Sequence, residues 1–117
     1  MAGARMRRVN EAVREVLSAH LAAGLKDPRI GFVTVTGVET TPDLRNARVY
    51  VSVLGDAAAR DDAIAGLRHS RGFLQAQINS ELRMKRTPHL NFVYDYTGER
   101  AARLSQLIDE AVGERGE

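Results

Sequence analysis

The chain has 117 residues, 44% of them hydrophobic and 27% charged, with a formal net charge of +2 and no cysteine. That length carries one domain with one cooperative core, and the missing cysteines exclude disulfides, thiolate catalysis and sulfur-ligated zinc, as suits a reducing cytoplasm. No apolar run approaches the roughly 20 residues that cross a bilayer, and Glu11, Arg14 and Glu15 interrupt any signal-peptide-like stretch behind the basic N-terminus.

From Arg5 to Ala23, Met6, Val9, Val13, Val16, Leu17, His20 and Leu21 fall on one helical stripe, with Arg7, Arg8, Glu11, Arg14 and Glu15 opposite. His20, on the apolar stripe, is expected to be a partly buried core residue. Gly24 is a natural stop, and Asp27-Pro28 opens a loop. Phe32 to Glu39 is rich in Val and Thr and reads as a strand, with a bulge expected at Gly37. Asn46 to Leu54 alternates, with Ala47, Val49, Val51 and Val53 on one side and Arg48, Tyr50 and Ser52 on the other. The loop from Thr40 to Arg45 suits antiparallel pairing of these two strands.

Asp56 is placed to cap a helix whose apolar anchors are Ile64, Leu67, Leu74, Ile78 and Leu82. Ser70-Arg71-Gly72 interrupts it, so a kink or break is expected there. After Pro88, Leu90, Phe92, Tyr94 and Tyr96 alternate as a third strand. Gly98 to Val112 closes the chain as an amphipathic helix, with Ala101, Leu104, Leu107, Ile108 and Val112 expected on its inner side and the residues after it expected to fray. The expectation is one domain over residues 1–117 with an ordered core of about 5–112. A crossover through helices favours parallel pairing of the second and third strands. Three strands with helices on one face make an α+β two-layer sandwich.

Charge falls in blocks. Residues 1–48 hold eight basic and five acidic side chains, 49–67 one and three, 68–96 five and two, and the remainder three and five. Alternating blocks point to one phosphate-facing side. Its candidates are Arg68, Arg71, Arg83, Lys85 and Arg86 on the helix pair, extended by Lys26 and Arg29 from the first loop and Arg45 and Arg48 from the hairpin. An enzyme finds little support. His20, His69 and His89 lack metal-type spacing, Asp61 and Asp62 point about 100° apart on a helix, and no serine has a nucleophile-elbow context. Phosphate loops and dinucleotide fingerprints are absent from the sequence.

Three segments carry a family resemblance. Asp27-Pro28-Arg29-Ile30-Gly31-Phe32-Val33-Thr34-Val35 resembles the first loop and strand of ribosome-binding factor A proteins. Pro42-Asp43-Leu44-Arg45-Asn46-Ala47-Arg48-Val49-Tyr50-Val51-Ser52-Val53-Leu54-Gly55, the most specific run, resembles their hairpin and second strand. Thr87-Pro88-His89-Leu90-Asn91-Phe92-Val93-Tyr94-Asp95 resembles their last strand, and Arg5 to Val16 is similar to their basic first helix.

The resemblance implies a KH-like domain of the second topological type, in which a helix kink written Ala-x-Gly replaces the phosphate-clamping Gly-x-x-Gly loop. This chain has Ser70, Arg71 and Gly72 at that kink, and its one Gly-x-x-Gly spacing, Gly113 to Gly116, lies in the tail. The resemblance further implies a non-catalytic, cofactor-free and metal-free factor for late maturation and RNA processing of the small ribosomal subunit, including in the cold. Its partners would be that subunit and its ribosomal RNA, with ribosomal proteins and a release GTPase as further ones, and no membrane; the chain itself is expected to be a monomer. Candidate RNA contacts are Arg5, Arg7, Arg8, Lys26, Arg29, Arg45, Arg48, Arg68, Arg71, Arg83, Lys85 and Arg86. The competing reading is a general single-stranded RNA or DNA binder, which needs exposed aromatics from a supply of three Phe and three Tyr.

Overall fold

A computed structural model describes residues 2–115, with side chains over 3–112. The elements run α1 (Ala2–Ala23), β1 (Val33–Thr40), β2 (Asn46–Val53), α2 (Ala57–His69), α3 (Arg71–Leu82), β3 (His89–Tyr94) and α4 (Thr97–Arg115). This is the expected order. The sheet has the order β1-β2-β3, with β1 antiparallel and β3 parallel to β2.

Local chemistry explains the boundaries. Gly24 adopts φ +93°, a conformation open to glycine, and ends α1. Register slips between Val35 and Gly37, so the bulge lies where glycine predicted it. The hairpin loop is held by Thr41, whose N–H donates to Asn46 O at 2.8 Å and whose hydroxyl donates to Asp43 Oδ1 at 2.6 Å. Asp56 Oδ1 accepts from Ala59 N at 2.9 Å and caps α2.

Between α2 and α3 the chain breaks at one residue. Ser70 has ψ 3° instead of a helical value, yet its N–H still reaches Gly66 O and its carbonyl still accepts from Leu74 N, both at 3.0 Å. The close approach at this break is not at Gly72, where a Cβ would meet nothing within 4 Å. It is at Gly66, where a Cβ would sit 2.6 Å from Ile30 Cγ1 and 3.3 Å from Asp27 Cγ. Gly66 therefore lets α2 lie against the 27–30 loop.

α1, α2 and α3 cover one sheet face. Val13 and Leu17 of α1, Leu67 of α2, and Leu74 and Ile78 of α3 meet Val35, Val49, Val51, Leu90 and Phe92 of the sheet. Each such fully buried side chain contributes about 1.5–3 kcal/mol relative to exposure. His20 sits at the margin of this core, with its ring nitrogen 2.7 Å from Glu81 Oε2 of α3.

The last helix departs from expectation. Leu104, Leu107, Ile108 and Val112 are 53–63% exposed, so the apolar stripe of α4 faces solvent rather than the core. A packed domain of this length has a radius of gyration of about 13 Å; this chain has 17.3 Å and extents of 63 × 40 × 19 Å, because α4 projects. Of the tail expected to fray after Val112, residues 113–115 continue the helix. Residues 116 and 117, and with them the end of the tail's Gly-x-x-Gly, lie outside the described residues. Tyr96 falls beyond β3, in the link to α4.

Candidate nucleic-acid interface

β3 is an edge strand. His89 N donates to Arg45 O and Asp95 N to Val51 O, each at 2.8 Å, so odd-numbered residues turn their backbone to β2. Leu90, Phe92 and Tyr94 turn theirs outward, by the alternation of a parallel ladder. At Leu90 this open edge is closed by side chains from α3: Arg71 Nε donates to Leu90 O at 2.7 Å, and Leu90 N donates to Gln75 Oε1 at 3.1 Å. Past Leu90 the edge opens into a groove of about 410 Å³ between α2 and β3.

This groove is lined by Arg60, Asp61, Ile64 and Arg68 from α2, by Phe92, Val93 and Tyr94 from β3, and by Tyr96 from the link that follows. The Arg60 guanidinium lies 4.7 Å from the Tyr94 ring centroid and 5.5 Å from that of Tyr96, and the two rings meet edge-to-face at 4.7 Å. Glu99, from the first turn of α4, sits 3.6 Å from Arg60 and accepts from the Tyr94 hydroxyl at 2.8 Å, which raises the pKa of that phenol. A cation over aromatic faces beside open backbone groups can stack a base and hydrogen-bond its edge.

A second groove, of about 820 Å³, flanks the break on the side of α1. It is lined by His20, Lys26, Asp27 and Arg29 from α1 and its following loop, and by His69, Ser70 and Phe73 at the break. Asp27 is clasped by Arg29 through its backbone N–H and Nε, both at 3.0 Å, and Nη2 at 2.7 Å. Those hydrogen bonds hold the Asp27 carboxyl at a pKa of about 2. At the break itself α3 begins without a side-chain cap, so its first N–H groups are donors available to an anion.

The structure thus gathers Lys26, Arg29 and Arg68 around the α2–α3 break. It does not bring all the candidate cations to one side, as the charge blocks had suggested. Arg48 alternates with buried Ala47 and Val49, so it projects from the sheet face that bears no helices, where it contacts the Tyr50 hydroxyl at 3.3 Å. Arg45 lies in the hairpin loop, 3.9 Å from Asp43. Arg7 lines a cavity between α1 and the β1 bulge, while Arg5 and Arg8 are exposed on α1. Arg83, Lys85 and Arg86 are exposed beyond α3, with Arg83 at φ 50° as its cap. Arg71, the arginine at the bend, gives its Nε to β3.

Arg60 was missed in the sequence because it lies in an acidic block beside Asp61 and Asp62. The alternation of Tyr94 and Tyr96 was visible there, but not the cation above them.

The profile of the ribosome-binding factor A family matches residues 5–108. A ribosome-binding factor A from Anaeromyxobacter sp. (strain K) is 54% identical over 105 residues, covering 89% of this chain and 76% of the relative. That of Geobacter sulfurreducens is 44% identical over 112 residues, covering 96% and 95%. The crystal structure of ribosome-binding factor A from Thermus thermophilus superposes with a TM-score of 0.67 at 26% identity, covering 76% of this chain and 94% of that one. Homology-derived coordinates of the Thermus thermophilus protein, fitted into the cryo-EM map of a 30S complex, superpose with a TM-score of 0.60 at 27% identity, covering 72% and 88%. Matching sequence across nearly its whole length and sharing this α+β, KH-like fold, the chain belongs to the ribosome-binding factor A family.

Proposed function

We propose that this protein binds the immature small ribosomal subunit in the cytoplasm and supports late maturation and processing of its RNA, including at low temperature, without catalysing a reaction. The observation that carries this reading is the relative fitted into a 30S complex, which shares the fold over 72% of this chain. The geometry supports an RNA contact: an open strand edge and a stacked arginine on one flank of the break, and cations with an uncapped helix start on the other. Binding supplies the energy. A ligand of this kind favours one RNA arrangement only by its differential affinity for the two.

RNA contacts are assigned first to Lys26, Arg29, Arg60 and Arg68. Arg5, Arg7, Arg8, Arg45, Arg48, Arg83, Lys85 and Arg86 form an outer set that steers approach, and Arg71 with Ser70 and Gly72 shapes the kink. Ribosomal proteins and a GTPase acting in release are further partners in this reading.

Co-sedimentation tests it. The protein should travel with small subunits and their precursors, and equal association with intact ribosomes and polysomes would overturn the reading. Arg60→Gln with Arg68→Gln should weaken subunit binding and flatten the log–log salt dependence by ~1.4, at about 0.7 per phosphate contact. The exposed Tyr96 and the Arg60 stack also favour a general single-stranded RNA or DNA binder. Affinity for short unstructured oligonucleotides equal to that for subunits would select that alternative.

A further inference from the structure

We propose that the groove between the end of α1, the 24–29 loop and the α2–α3 break holds one unstacked RNA base against Phe73, with its phosphate on Lys26. The proposal rests on the RNA-binding reading above and names a contact apart from the Arg60 groove.

Phe73 is a large apolar residue left 50% exposed in a cavity of about 820 Å³, a volume within the range of small-ligand sites. Its ring is held in place. His20 meets it edge-to-face, with centroids 5.8 Å apart and planes at 88°, and His20 is itself anchored by Glu81 at 2.7 Å. A fixed, half-exposed aromatic ring is a platform for a base, since stacking needs a π-face and little else.

The charges around the ring favour a nucleotide over an apolar peptide side chain. Asp27 is the carboxylate that lines the groove, and Arg29 already occupies it, while Glu81, outside the lining, is paired with His20. Lys26 is exposed and forms no ion pair among the described residues. The start of α3, whose Ser70 and Phe73 line the groove, is uncapped by any side chain. A stacking face beside a free cation matches a base joined to its phosphate.

The test compares wild type with Phe73→Leu, which keeps apolar volume and removes the π-face, using purified small-subunit particles as the probe. Phe73→Leu should bind about tenfold more weakly with an unchanged salt slope, whereas Phe73→Tyr should bind as wild type does. Lys26→Gln should instead flatten the slope by about 0.7. Wild-type binding with undiminished affinity in Phe73→Leu overturns the base slot and leaves the parent reading standing; failure of the wild type to bind subunits removes the parent reading itself. Should Phe73→Leu not fold, ultraviolet crosslinking of wild type to the particles decides, with an RNA adduct expected at Phe73. Adducts confined to other segments, or binding that survives digestion of the RNA, count against the proposal.

Discussion

Arg71 donates from Nε to the carbonyl oxygen of Leu90 at 2.7 Å, so the residue at the helix break closes the open edge of the sheet. An exposed strand edge invites pairing with other chains, and here a side chain shields it at Leu90 while the outward backbone of Phe92 and Tyr94 stays open. The residue that bends toward β3 therefore separates a protected part of the edge from the groove.

Arg71→Ala should destabilise the fold by about 1–3 kcal/mol, because it leaves the Leu90 carbonyl without its donor in a partly buried setting. Urea denaturation measures the loss. A stable variant with weakened subunit binding would instead make Arg71 an RNA ligand.

Gly66→Ala should also destabilise. Alanine gains about 1 kcal/mol in helix propensity, but its methyl would stand 2.6 Å from Ile30 Cγ1. Overpacking of this kind costs about 1–3 kcal/mol. Adding Ile30→Ala should recover part of the loss in a double-mutant cycle, and strictly additive effects would show that the contact is not the cause.

Acid should loosen the 27–29 loop. Arg29 holds the Asp27 pKa at about 2, below its ordinary value of 3.8. A carboxylate depressed on folding stabilises above its unfolded pKa, and that contribution disappears as pH falls through the folded one. The loss therefore falls between about pH 4 and pH 2. Asp27→Asn should flatten the urea midpoint across that window relative to wild type, and parallel profiles would rule out the linkage.

Removal of residues 104–117 should leave the unfolding free energy within about 0.5 kcal/mol of the full chain, since the apolar side chains of this part of α4 are more than half exposed. Far-ultraviolet circular dichroism should register the lost helix. Destabilisation beyond about 2 kcal/mol would mean that the stripe is covered in solution.

Much of this molecule was legible in one dimension because its signals are local. The stripe of Val13, Val16 and Leu17, the alternation of Ala47, Val49 and Val51, the cap at Asp56, the stop at Gly24 and the bulge at Gly37 each depend on backbone geometry within a few residues. From them followed the order of elements, the mixed sheet and the break at Ser70, and three extended runs carried the family. Tertiary structure alone decided the rest. It set Arg60 over two tyrosines from a distant strand and its following link. It set Gly66 of α2 against the 27–30 loop, turned Arg71 inward and Arg48 to the far face, and left the α4 stripe in solvent. Periodicity tells which residues share a side of an element, but which neighbour that side meets is a matter of packing between distant segments, and no local pattern encodes it.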